Sequence, residues 1–581
     1  MRFIKMSIFF KWIVLILGCF MVLISGCEQQ NHDGTLQQKK AEIPPGVIRI
    51  PLDGNVGILD PGLVSEVVQS ELVEQLFLSL TDFEIAPKSA DQKTDTDSQL
   101  ALYEMESDNG TVPYQVVPEL STDWQVSEDG TVYTFNLRHD VKWTDGKPVT
   151  AHDIVWTMQR NLVENEKAQF YLIKNYDAIV QGKMERSSLG VRAIDDYTVE
   201  FILEFAEAYF PAMVSGEVYW PLPRHIIEKY GKQWTEPQHI QTNGSYRLTE
   251  WDKGNKIVLT KNPDYYEAAQ VNIHEVHYYV IPESSIGLAM YENNELDIMG
   301  GEVYLKLPQA EIPRIQTNPT LSKDIKVVQQ ACTEWYGFNT QRAPTDNLLV
   351  RKAISAAVDK QILIDVVIKG SHFLATTLAH PLSFGSVNSK EEQVGIPFNP
   401  KQAKEWLAEA GYPDGKNFPK LVLMHNTSET HEEIAEGIKT LLKHYLNIDI
   451  EIQAIDWKRY NDAIIPLQPA TSPHLFRYSV CVDYPDAINW LGAFHSSTGF
   501  NWLSGKNSEL FDKMIDDGQF GGKAQHRKEF NHRAEQILTE EEVAIIPLYF
   551  NNAKFLVKPR VKDWYHIAFG GQHISRWSLK D

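Results

Sequence analysis

The chain has 581 residues, of which 43% are hydrophobic and 11% aromatic, and a formal net charge of −22. Such length supports two or three domains with substantial cores. The acidic balance argues against nucleic acid or an anionic membrane surface as a partner.

At the start, Arg2, Lys5 and Lys11 form a basic region ahead of the apolar run Trp12 to Ile24, which is short for a bilayer span. Ile24-Ser25-Gly26-Cys27 resembles the bacterial lipobox, in which cleavage precedes a cysteine that becomes lipid-modified. Residues 1–26 are therefore expected to be a lipoprotein signal peptide and Cys27 its lipidation site; an uncleaved anchor would place the body outside the cytoplasm equally. Residues 27–46 are polar, with Gln, Lys, Gly and Pro, and read as a flexible tether. Losing the leader's three basic charges from −22 leaves a net charge near −25.

Val47-Ile48-Arg49-Ile50 opens the body as an extended run. Leu72, Gln75-Leu76 and Ser79-Leu80 keep helical spacing. Between Pro87 and Asn109 the composition turns to Ser, Asp, Thr, Lys and Gln, the mark of a surface insertion. Asp129-Gly130 then signals a turn, after which Tyr133, Phe135 and Leu137 alternate with polar residues as a half-buried strand does. Thr150 as N-cap with Asp153 three residues on starts a helix to about Leu162. Further along, Asn399 caps a helix with Pro400 at its first position, Ala403, Leu407 and Ala410 form its buried stripe, and Gly411 ends it. Ile434, Ile438, Leu441 and Tyr445 mark another amphipathic helix, and Ile448, Ile450 and Ile452 a strand. Alternating helices and strands give an α/β class with mixed sheets.

Two of the four cysteines, Cys19 and Cys27, belong to the leader and the lipid site, so the folded body keeps only Cys332 and Cys481. A lone pair in an oxidising compartment points to a disulfide, with two buried free thiols as the alternative. With the cysteines 149 residues apart, the chain-entropy model puts its contribution at about 5 kcal/mol as an upper figure. Cys481 sits in Arg477-Tyr478-Ser479-Val480-Cys481-Val482-Asp483-Tyr484-Pro485-Asp486, where charges stand among apolar and aromatic residues. Buried charge is costly unless paired. Either Arg477 and Asp483 satisfy each other or nearby groups, or each faces a ligand group of opposite sign.

The run from Trp124 to Asp153 closely resembles the signature of the bacterial extracellular solute-binding proteins, family 5, the receptors of ABC importers. Further stretches resemble that family's oligopeptide-binding lipoproteins: Thr242 to Tyr246, Lys261 to Tyr266, Cys332 to Asn339, Asn399 through Tyr412, and Arg477 to Asp483. The resemblance implies a two-lobed, periplasmic-binding-protein type II-like fold with an extra subdomain, closing by a hinge over its ligand. Residues 47–82, 230–331 and 551–581 would form lobe I, 83–229 its additional subdomain with the insertion near 87–109, and 332–550 lobe II. It also implies a monomer that binds oligopeptides, is anchored at the cell surface or in the periplasm through Cys27, delivers its ligand to an ABC permease, and carries no cofactor.

By the same resemblance, Asp483 matches the acid that meets the peptide ammonium, Arg477 and His431 match positions that meet a peptide carboxylate, and Trp457 matches an aromatic lining a side-chain pocket. Backbone pairing would resemble strand addition, with side chains in hydrated pockets. Structural readings stand beside these: Arg477 in a salt bridge, His431 at its helix end, Trp457 in the core. The chain departs from the pattern at Val480, where close members carry tryptophan, and at Lys369, one step from the usual basic position at Ile368. Other ligands of the family, nickel complexes, haem or oligosaccharides, remain alternatives, and Trp457, Trp490 and Trp502 keep a sugar site open. No nucleophile elbow, zinc-helix motif, Ser-x-x-Lys set, Walker sequence or Cys-x-x-Cys supports a hydrolase or other enzyme. His274 and His277 are odd-spaced on an expected strand and do not make a metal pair.

Overall fold

The computed structural model describes residues 44–580 except 55, 65, 86–102, 108–109, 165–169, 302, 370–371, 382, 388–392, 465–470, 483, 498–504, 521–523 and 569–570. Cys27, Asp483 and Trp502 therefore lie outside the described residues. No helix among those described is long and apolar enough to cross a membrane.

Val47–Leu52 is buried along its whole length and pairs in parallel with Glu275–Val280, which continues through Lys256–Lys261 to Tyr246–Asp252 in one four-stranded sheet. A strand buried on both faces should be apolar, and Arg49 interrupts it. Its guanidinium is matched by Asp297, with Nη2 to Oδ1 and Nε to Oδ2 both at 2.9 Å, while Arg560 reaches the same carboxylate at 3.1 Å. One acid thus ties the first strand to the last part of the chain.

The helix after this strand, Val67–Leu76, stops short of the expected Leu80. Asn243 and Gly244 intervene: their backbone amides donate to the Leu76 carbonyl at 3.2 and 2.8 Å, and the Asn243 side chain accepts from the Leu78 amide at 3.0 Å. Gly244 is required there, since a Cβ would lie 2.6 Å from the Leu76 carbonyl carbon. Leu78 and Leu80 are buried beyond the helix end instead. The expected insertion also contains an element: Tyr103–Ser107 is a strand pairing with Gly110–Pro118, which pairs in turn with Thr81–Ile85. Its alternation of Glu with less polar residues is easily lost in the polar composition around it.

Tyr133, Phe135 and Leu137 point inward from Val132–Leu137 as their period requires, within a four-stranded antiparallel sheet. Thr150 and Asp153 close the start of the helix Ala151–Glu164, the Thr150 amide donating to Asp153 at 2.9 Å. Asn399 caps Pro400–Glu409 by accepting from the Gln402 amide at 3.1 Å, and Ala403 and Leu407 are buried. Glu429–Leu446 buries Ile434, Ile438 and Leu441, and the following strand is Ile450–Ile455.

A seven-stranded mixed sheet carries the region of interest, in the order Ile298–Gly300, Ile545–Val557, Ile325–Phe338, Leu475–Cys481, Leu421–Asn426, Ile450–Ile455, with Phe373–Leu374 on the side of Ile545–Val557. Its two longest strands, Ile325–Phe338 and Ile545–Val557, are antiparallel, and their register shifts between Gln329 and Thr333 and between Glu334 and Trp335. Leu475–Cys481 lies antiparallel to Ile325–Phe338 with Cys332 opposite Cys481, and the two are disulfide-bonded. Among the described residues three buried apolar clusters fill the body; one is confined to residues between Tyr336 and Tyr549, another to residues 281–321 with Leu556.

Candidate functional site

The cysteine register decides what surrounds Arg477. With Cys332 opposite Cys481, Glu334 faces Ser479 and Tyr336 faces Arg477, so Glu334 and Arg477 are diagonal neighbours on one face of the sheet. Arg477 donates through Nε and Nη2 to both oxygens of Glu334, and side-chain exposures are 11% and 2%. Burial works against the guanidinium charge, but the Glu334 carboxylate outweighs it and holds the Arg477 pKa above its ordinary value.

The remaining Nη1 of Arg477 donates to Asn426 Oδ1 at 3.3 Å, at the end of Leu421–Asn426. The carbonyl of the same asparagine lies 3.3 Å from His431 Nδ1. Burial, with the Arg477 charge adding to it, lowers the His431 pKa to about 4, so the ring is neutral near pH 7. Trp457 begins the helix Trp457–Ile464; it is 51% exposed and stacks on Tyr460 and Tyr478, with ring centroids 6.0 and 6.3 Å apart. The Tyr460 hydroxyl donates to the Arg477 carbonyl. Arg477, His431 and Trp457, carried by three different elements, thus belong to one neighbourhood. Within it Arg477 takes the salt bridge, while Trp457 keeps an open face.

Asp483 itself lies outside the described residues, but the chain on both sides of it is well held. The strand ends at Cys481, bonded to Cys332, and the Val482 amide donates to the Ala331 carbonyl at 3.2 Å. On the other side Tyr484 is 8% exposed and stacks on Tyr209, centroids 4.7 Å apart with planes at 14°. Phe384 brackets the next turn, its amide donating to the Pro485 carbonyl and its carbonyl accepting from the Ala487 amide, both at 2.9 Å.

Asp486, for which the sequence suggests no role, has one here. It is 1% exposed, caps the helix Ala487–Leu491 by accepting from the Ile488 amide at 3.1 Å, and pairs with Arg527. Arg527 also faces Tyr209 and Phe384, at 5.6 and 4.9 Å from their ring centroids. Glu207, 1% exposed, is pushed well above the usual carboxylate range by burial, with Arg527 opposing. Nothing local in the sequence signals these partners.

Elsewhere Lys369 is exposed with φ +47°, and Ile368 is buried. Trp490 is fully buried, which removes it as a stacking platform for a sugar. A hollow of about 820 Å³ is lined by residues of 122–140 and 195–198, four aspartates among them, and includes none of the Arg477 neighbourhood.

Comparison with known proteins gives this neighbourhood a context. Residues 115–502 match the family model described as "Bacterial extracellular solute-binding proteins, family 5 Middle". Over 456 residues the chain is 32% identical to the periplasmic oligopeptide-binding protein OppA of Salmonella typhimurium, covering 76% of this chain and 81% of that one. Over 455 residues it is 30% identical to the probable deoxycholate-binding periplasmic protein YgiS of Escherichia coli, covering 77% and 82%. Among solved structures, the periplasmic oligopeptide-binding protein OppAIV of Borrelia burgdorferi superposes with a TM-score of 0.69 at 27% identity, over 92% of this chain and 100% of that one. The mixed α/β, periplasmic-binding-protein type II-like fold expected from the sequence is the fold observed.

Proposed function

The chain belongs to the bacterial extracellular solute-binding proteins of family 5, and from that premise we propose that it captures oligopeptides outside the cytoplasm and delivers them to an ABC transporter permease. A lipid on Cys27 would hold it at the membrane, and the ligand would be enclosed between lobe I, with its 83–229 subdomain, and lobe II at 332–550. The observation that carries this reading is the 32% identity, over three quarters of the chain, to a protein named for binding oligopeptides. It is a binding protein in this reading, with no turnover of the peptide.

Asp483 is assigned to the ligand's α-ammonium. Support comes from its flanks: a disulfide and a backbone hydrogen bond on one side, an aromatic stack and the Phe384 bracket on the other. Held flanks leave less chain to be ordered when a ligand arrives. His431 and the exposed face of Trp457 are assigned to the rest of the ligand, and Arg477 to holding the sheet. Because Glu334 already balances that guanidinium, a ligand carboxylate would gain little from it. Recognition through the ammonium and the peptide backbone, with no fixed anchor for the far end at Arg477, suits peptides of varied length.

A second reading comes from the relative named for deoxycholate, an anionic non-peptide. The balanced Arg477 and the acid at Asp483 both disfavour an anionic ligand. The two readings separate by calorimetry on Asp483→Ala. Loss of an enclosed ion-pair partner weakens binding of peptides with free N-termini by about 3–5 kcal/mol and leaves N-acetylated peptides little changed. Equal losses for both would exclude the ammonium assignment. Mass spectrometry of what co-purifies with the native protein identifies the ligand class directly.

A further inference from the structure

A second group of ionisable side chains, apart from Arg477 and its partners, gathers where the two ends of the body meet. Glu74 comes from the helix Val67–Leu76, Asp82 from the strand Thr81–Ile85, and His573 from the C-terminal segment. One ligand-type atom of each lies within 4.8 Å of the other two. His573 Nε2 is 3.2 Å from Asp82 Oδ1 and 3.8 Å from Glu74 Oε1. Around a tetrahedral ion with bonds of about 2.0–2.1 Å, neighbouring ligand atoms stand about 3.3 Å apart, a spacing that His573 and Asp82 already have and that Glu74 approaches from the His573 side.

Independent of that spacing, a cavity of about 20 Å³ opens beside them, lined by Glu74, Glu119, Ser245, Tyr265, His573 and Arg576 among others. That is about the room one water molecule or one further ligand atom needs. The charges around it do not balance. Glu74, Asp82 and Glu119 converge, and Glu71 lies close enough to raise Glu74 further. Arg576 is the facing guanidinium, and it is shared between Asp82 at 3.4 Å and Glu84 at 2.5 Å. The Glu119 Oε2 accepts from the Ser79 amide and hydroxyl at 3.0 and 2.6 Å, and Glu71 accepts from the Gln572 amide and two tyrosine hydroxyls. Among the described residues Glu74 has no comparable set, and its ionic neighbour is His573. Burial and the neighbouring acids push Glu74 far above the ordinary carboxylate range, and Glu119 to about 8.

We infer that Glu74, Asp82 and His573 form a binding site for one divalent transition-metal ion of the zinc type, with Glu119 or a water in the small cavity completing its coordination. An imidazole with carboxylates selects such an ion over magnesium or calcium, whose ligands are oxygens. Two positive charges would offset the carboxylate excess that Arg576 leaves. The ion would bind the C-terminal segment to the first helix and second strand of the body. This inference is independent of the peptide reading and stands or falls without it. The sequence shows no such motif because its residues come from opposite ends of the chain.

The test uses the full-length protein in detergent, stripped with EDTA and titrated with cobalt(II), then zinc(II). The expected result is one tightly bound cobalt per chain with the visible absorption of low-coordinate cobalt, displaced by zinc. Glu74→Gln and His573→Gln each weaken binding at least tenfold, while His277→Gln leaves it unchanged. No stoichiometric binding by the wild type, or affinities unaltered in both site variants, overturns the inference. Should the variants fail to fold, anomalous scattering at the zinc edge from wild-type crystals decides: a peak between Glu74, Asp82 and His573 supports the site, and a peak elsewhere or none refutes it.

Discussion

The charges around Arg477 and those around Glu74 are similarly buried, yet they are arranged on opposite principles. On the cysteine strand one guanidinium meets one carboxylate through two hydrogen bonds, and a neutral asparagine and histidine complete the shell. At the meeting of the chain ends, carboxylates outnumber cations among the described residues, and the Arg576 guanidinium is divided between two of them. A balanced pair is finished by the fold itself, so it holds a surface in place without inviting a charged ligand. An unbalanced set is finished only by protons or by a cation, and is therefore where pH and added ions should act.

The largest effect expected from breaking this contrast comes from Glu334→Gln. It strands a buried guanidinium and should cost about 3–5 kcal/mol in denaturant unfolding, whereas Glu334→Leu combined with Arg477→Met should recover most of the loss. A cost under about 1 kcal/mol would place the pair with solvent-exposed bridges. Replacing Cys332 and Cys481 together by alanine should cost about 2–4 kcal/mol, read by the same unfolding curves, because the bond closes a long loop as well as fixing the strand register.

Smaller and opposite in sign are two pH effects. Burial raises Glu71 to about 8, so its contribution is fully present below its unfolded value near 4.5 and is lost as pH rises through 8. Glu71→Gln should therefore flatten a fall in Tm between pH 4.5 and 8. The His431 pKa is lowered to about 4, so its neutral form contributes fully above the unfolded value near 6.5 and stability is lost as pH falls toward 4. His431→Gln should remove a modest part of that acid-side loss, modest because the ring is partly exposed. Base sensitivity at one cluster and acid sensitivity at the other, separated by the two variants, would make the contrast quantitative; identical profiles would dissolve it.

Local regularities were readable in advance, and long-range pairing was not. Tyr133, Phe135 and Leu137, the Asn399 cap and the stripe of Ile434, Ile438 and Leu441 follow from periods of two and of 3.6. The end of the helix at Leu76 is set by Asn243 and Gly244, which no period reveals. Glu334 as the partner of Arg477 lies between these cases. Once Cys332 is placed opposite Cys481, antiparallel register alone puts Glu334 on the face that Arg477 shares, so the cysteines contained the signal. Asp486 with Arg527, and Glu74 with His573, have no such index, because their strands and helices are brought together by packing of whole elements.

The strand Ile545–Val557 pairs with Ile298–Gly300, Ile325–Phe338 and Phe373–Leu374, and it follows all three of them in the chain. Until it leaves the ribosome the central sheet lacks the strand that joins three of its members. The growing polypeptide thus cannot complete its core early, and its many distant pairings slow it further.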